Sequence, residues 1–110
     1  MPENILTILD RLTQGVYVIG VSHLERKNAF TGSWVTQSSL GPPMLALGIA
    51  PTHKSYALLN EGGFCMVNVL GKDHGDIALH FRTPMKEGKL AGAAWHEARC
   101  GAPILDSAIT

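Results

Sequence analysis

Asn28-Ala29-Phe30-Thr31-Gly32-Ser33-Trp34-Val35-Thr36-Gln37 is the stretch that decides the reading of this chain. It carries hydroxyls, amides, a glycine and an indole at strand spacing, so it reads as strand. Successive strand side chains point to opposite faces. Phe30, Gly32, Trp34 and Thr36 therefore fall on one side, and Thr31, Ser33, Val35 and Gln37 on the other. Neither side is purely apolar, which is a poor recipe for a plain core strand and a good one for a cleft wall. A flat conjugated ligand with a polar edge suits such a wall: Trp34 offers apolar contact, and hydroxyl and backbone donors meet ring oxygens and nitrogens. A half-exposed strand with a core tryptophan is the plainer reading of the same residues.

Extended structure continues to Leu40, where Gly41-Pro42-Pro43 stops it because proline lacks a ladder donor and restricts its predecessor. Met44 to Ala50 resumes as a strand. On the N-terminal side, the short β-branched run Val16-Tyr-Val-Ile-Gly-Val21 reads as a buried strand, with Ser22 to Asn28 as a polar hairpin loop. Ile5, Ile8, Leu9 and Leu12 recur at helical spacing before Gly15, which predicts a helix over 3–13 with one face capping a barrel end. Beyond the turn 51–54, Ser55 suits an N-cap and Gly62-Gly63 the exit of a second helix. Phe64 to Leu70 reads as a strand, 76–81 as a short helix and 83–101 as irregular. The class is mainly β with short helices, in a single domain over 1–110.

A second candidate for chemistry is Thr52-His53-Lys54-Ser55, ahead of that helix. Free N–H groups, two hydroxyls and two cation-capable side chains could converge there on a phosphate, although serine at an N-cap is also ordinary capping. The turn lacks a glycine-rich phosphate loop. His80-Phe81-Arg82 and Lys86 to Lys89 add positive charge that could approach a phosphate or form a solvated loop, the loop reading being preferred for all but Lys89, and Trp95 reads as a packing or subunit contact.

The bulk figures narrow the field. Nine basic and nine acidic residues give zero net charge, without the field a nucleic-acid binder needs. Hydrophobic residues are 45% and charged residues only 16%, a balance that suggests buried or subunit-covered faces and hence an oligomer, for which a homodimer is expected. No apolar run reaches the roughly 18 residues of a membrane span, and no leader pattern precedes the first helix. Cys65 and Cys100 form no C-x-x-C pair and are expected to be reduced, which fits a cytoplasmic protein, and Cys65 reads as a small buried hydrophobe. The five histidines lack zinc-pair spacing and no nucleophile elbow is present, so neither a metal nor hydrolysis is expected.

Leu12-Thr-Gln-Gly-Val-Tyr-Val-Ile-Gly-Val, Asn28 to Pro43, Phe64-Cys-Met-Val-Asn-Val-Leu, Ala78-Leu-His-Phe, Lys89-Leu-Ala-Gly and Gly101-Ala-Pro-Ile-Leu occur in that order over nearly the whole chain. In this order and spacing the chain resembles the flavin reductase-like, FMN-binding split-barrel proteins, which include ferric reductases, flavoredoxin and C-terminal modules of some flavodiiron proteins. The resemblance implies a Greek-key-like split β-barrel. It also implies that Asn28, Thr31, Ser33, Trp34, Val35 and Thr36 contact the isoalloxazine and ribityl chain, that His53, Lys54 and Ser55 meet the FMN phosphate, and that Lys89 adds charge nearby. The implied activity is an FMN-dependent oxidoreductase, with FAD also possible, taking hydride from NADH or NADPH and passing electrons to a small-molecule acceptor. No acid or base is assigned, because the cofactor carries the hard chemistry. A non-catalytic flavin-binding or electron-relay module, or a truncated interaction domain without ligand, would carry the same motifs. The family's remaining barrel strands lie beyond Gly101-Ala-Pro-Ile-Leu, so the barrel is expected to be incomplete at the C-terminus of this chain, leaving open edges or closure by a partner.

Overall fold

The computed structural model describes residues 3–82, 90 and 93–110. Its centre is β1 (Tyr17–His23), whose five middle residues are all buried. Such a run is apolar on consecutive positions because both faces of the strand are covered. β2 (Arg26–Gly32) pairs with it antiparallel, setting Ile19 opposite Phe30 and Val21 opposite Asn28. The expected seven-residue hairpin loop shrinks to a turn at Leu24 and Glu25, with Leu24 at φ 56°. β5 (Cys65–Val69) pairs with the other edge of β1, giving the order β2-β1-β5.

Alternation along β1 and β2 sorts the core into two layers. Val18 and Ala29 face Phe81 and Leu105. Ile19, Val21 and Phe30 face Leu58. Each large side chain so buried contributes about 1.5–3 kcal/mol, which favours this register, since a slip of one residue would exchange the two layers. α2 (Tyr56–Gly62) supplies Leu58 and ends as the sequence indicates: Gly63 takes φ 77° and its N–H donates to Leu59 O. α3 (Gly75–Arg82) supplies Phe81.

The tract read as irregular, 83–101, contains the first strand of a hairpin. β6 (Trp95–Glu97) and β7 (Pro103–Leu105) pair antiparallel, and Trp95 packs against the Phe81 layer. β7 crosses so near β1 that a Cβ on Gly20 would collide with Pro103 O. Asn68 holds it there: its Nδ2 donates to Val18 O and Pro103 O, and its Oδ1 accepts from Leu105 N–H. Three-residue strands carry too little hydrophobic periodicity to stand out in a sequence.

The extended stretch 29–40 is broken. β2 ends at Gly32 and β3 (Val35–Leu40) begins after Ser33 and Trp34, pairing with β4 (Pro43–Leu47) in a separate hairpin. Phe30 and Trp34 therefore do not share a face: Phe30 is buried and Trp34 is 62% exposed. α1 (Glu3–Leu9) is shorter than expected and caps nothing, for Ile5, Leu6, Ile8 and Leu9 are all exposed. The strands form one three-stranded and two two-stranded sheets and do not close into a barrel among the described residues.

Candidate functional site

Two groups of polar residues emerge at β2, one on each face of the central sheet. On the Leu58 face, Asn28 is buried opposite Val21, and its Nδ2 donates to Ser55 Oγ at 2.7 Å. Ser55 is fully buried at the N-cap of α2 and makes no side-chain cap bond. Its backbone N–H donates instead to His53 Nδ1 at 3.1 Å. An Nδ1 that accepts leaves the proton of the neutral ring on Nε2. The His53 ring lies 4.5 Å from that of Phe30, tilted by 51°. Phe30, which the sequence reading only placed on a strand face, thus contacts a turn residue; its strand alternation with Asn28 was the available signal. Lys54 is exposed beside them.

On the Phe81 face, Thr31 Oγ1 donates to Ala78 O of α3 at 2.6 Å, tying the strand end to the helix. Beside this bond, Val16, Thr31, Ser33, Leu79 and Arg82 line a cleft of about 460 Å³. Arg82 was read as a solvated loop residue; it ends α3 and borders the cleft, as the four-residue spacing from Ala78 allows. Trp34 lines a different groove of about 540 Å³, with Leu6, Leu9 and Leu12 across from it. Val35 packs against the Ile19 layer, and Thr36 is exposed on β3.

The structure therefore brings Asn28, His53, Lys54 and Ser55 together, sets Thr31 and Ser33 on the opposite face, and leaves Trp34 to Thr36 at the junction with the β3–β4 hairpin. Lys89 lies outside the described residues. The cleft beside Thr31 carries two hydroxyls and a guanidinium, the Trp34 groove carries the Asp10 carboxylate, the imidazole and exposed ammonium of the 52–55 turn line neither, and both clefts fall within the roughly 300–1,000 Å³ of small-molecule sites. The first set can hold a flat, anionic organic ligand. Among the described residues, no group of three or more His, Cys, Asp or Glu side chains could hold a metal ion. Burial, and secondarily the Cys100 thiol, push the Cys65 thiol above its ordinary value of 9.0, which keeps it protonated near neutral pH.

The family model of the flavin reductase like domain matches residues 9–110. The chain belongs to the flavin reductase-like family. An FMN reductase (NADH), RutF 1, of Methylorubrum extorquens is 35% identical over 103 residues, covering 92% of this chain and 51% of the relative. A diflavin flavoprotein A 1 of Synechocystis is 31% identical over 104 residues, covering 92% of this chain and 18% of that protein. The solved NADH:FAD oxidoreductase SgcE6 of Streptomyces globisporus superposes with a TM-score of 0.87 at 21% identity, covering 99% of this chain and 68% of its own. At that identity it shows the split-barrel fold alone. The flavin reductase-like chain spans about half the length of the RutF relative that it matches. The mainly β class and the flavin reductase-like resemblance drawn from the motifs hold.

Proposed function

We propose that this chain is the flavin-holding portion of an NAD(P)H-dependent flavin reductase. The carrying observation is the arrangement around β2, where the hydroxyls of Thr31 and Ser33 and the Arg82 guanidinium line a cleft with apolar walls, in a chain whose relatives include an FMN reductase (NADH). FMN is the flavin this reading favours, with FAD the other candidate; NADH is the donor and NADPH its alternative. When bound, the flavin would supply hydride acceptance and electron release to a small-molecule acceptor.

The protein's own part is to bind and orient. Ser33, Trp34, Val35 and Thr36 would border the ring and ribityl chain, Trp34 excluding water from one face of it. His53 and Lys54 would meet the phosphate, with Lys89 as a further positive charge. Asn28 and Ser55 act one step back in this reading: their mutual hydrogen bond fixes the turn that presents His53 and Lys54. Thr31 fixes the strand end through Ala78 in the same way. A cytoplasmic homodimer is the setting this reading assigns. Among the described residues, no helix is long and apolar enough to cross a membrane.

The test is spectroscopic. Purified protein mixed with FMN should quench flavin fluorescence and retain a yellow species on gel filtration that NADH bleaches under argon. A protein that retains flavin but bleaches no faster than free FMN would favour a carrier, and one that retains none would overturn the assignment.

A further inference from the structure

Three polar side chains line the cleft beside Thr31, and each offers a different hydrogen-bonding capacity. Arg82 is exposed at the end of α3, and among the described residues no carboxylate pairs with it. A guanidinium carries five N–H donors and accepts nothing. Thr31 is the converse. Its hydroxyl hydrogen is committed to Ala78 O at 2.6 Å, so toward the cleft Oγ1 has only lone pairs to offer. Ser33 is half-buried, and its hydroxyl is able to donate. Val16, Ala78 and Leu79 supply the apolar wall around them.

A ligand edge that satisfies all three reads acceptor, donor, acceptor. An imide does so, with its run of carbonyl, N–H and carbonyl, and the pyrimidine end of a flavin ring is an imide. We infer that this cleft takes the imide edge of the flavin, Thr31 accepting from its N–H while Arg82 and Ser33 donate to its carbonyls, and that Arg82 thereby favours the reduced flavin. Both assignments rest on the flavin reading, and they add to it the ring edge that faces α3 and a role for Arg82.

The second assignment follows from charge. Reduction delivers a hydride, one proton with two electrons, from a nicotinamide nucleotide, which is oxidised. The ring is reduced and gains one unit of negative charge, shared with its carbonyl edge. A guanidinium without a carboxylate partner, beside that edge and among apolar walls, stabilises the charged product more than the neutral reactant. Arg82 also stands in the last turn of α3, where a cation answers the helix dipole whatever fills the cleft. A dipole partner alone would change stability and leave the potential of a bound flavin where it was.

Anaerobic titrations of the full chain with oxidised and with dithionite-reduced FMN, and dye equilibration for the bound potential, separate these roles. Arg82→Gln keeps an N–H donor and removes the charge. Oxidised FMN should bind it within about threefold of wild type and reduced FMN about tenfold more weakly, since charge-assisted bonds are roughly twice as strong as neutral ones. A tenfold ratio corresponds to a potential about 30 mV lower for two electrons. Lys54→Ala, at the phosphate turn, should instead weaken both states alike. A second arm uses wild type alone: 3-methyl-lumiflavin, whose imide N–H is blocked, should bind about tenfold more weakly than lumiflavin. Equal losses for the two redox states in Arg82→Gln, an unchanged potential, or 3-methyl-lumiflavin binding as tightly as lumiflavin overturns the inference and leaves the flavin reading standing. A wild-type chain that binds flavin in neither state overturns both.

Discussion

Ser55 and Lys54 are neighbours in one turn, yet the structure gives them opposite jobs. Ser55 is fully buried and accepts from Asn28, whereas Lys54 is exposed. Removing the serine hydroxyl leaves a buried amide without its acceptor, which costs about 1–3 kcal/mol. Ser55→Ala should therefore lower the urea midpoint by that amount of stability. Lys54→Ala should leave urea stability within about 0.5 kcal/mol and weaken flavin affinity about tenfold, since charge-assisted bonds to phosphate contribute roughly 1.5–3 kcal/mol. Equilibrium unfolding and fluorescence titration of the two variants separate the roles. Cys65 gives a pH signature at the same scale. Its folded-state value lies above the ordinary 9.0, so the stability it contributes is intact below that pH and is lost as pH rises through the folded value. Thermal melts should fall on raising the pH past about 9, and Cys65→Ala should flatten that fall.

The elements differ in how plainly the sequence announces them. β1 was legible because five consecutive buried positions select β-branched and small apolar residues, and the exit of α2 because Gly63 takes the left-handed backbone. The break at Ser33–Trp34 was not, since nothing in an alternating stretch marks where one hairpin yields to another. The β6–β7 hairpin was hidden for a different reason: what fixes it is long-range, the three hydrogen bonds of Asn68 and the tight crossing over Gly20. Asn68→Ala should cost about 2–4 kcal/mol and release β7 first, because it orphans the buried Leu105 N–H. Hydrogen exchange should show the Leu105 amide losing protection ahead of Ile19 and Val21. The candidate site was legible in its residue types and not in its geometry. Strand alternation grouped Thr31 and Ser33 with Val35, whereas the structure sets the first two on one cleft and packs Val35 against the Ile19 layer, and the inward turn of Ser55 depends on Asn28, 27 positions away.

At the scale of the molecule, a buried two-layer core around β1 carries an apolar helix and ribbon that the other described residues leave exposed. Trp34 joins the two regions, so ligand affinity and self-association are expected to be linked. Under the proposed homodimer, diluting the protein through dissociation should then weaken flavin binding, which titrations at two protein concentrations a hundredfold apart would show.

The central claim is that a flavin rests against the end of β2 with its anionic tail at the 52–55 turn. Backbone amide spectra recorded while FMN is titrated into the labelled chain read it directly. The account predicts saturable shifts concentrated at Ser33 to Thr36 and at His53 and Lys54. Shifts confined to other surfaces, or none at millimolar FMN, would contradict it.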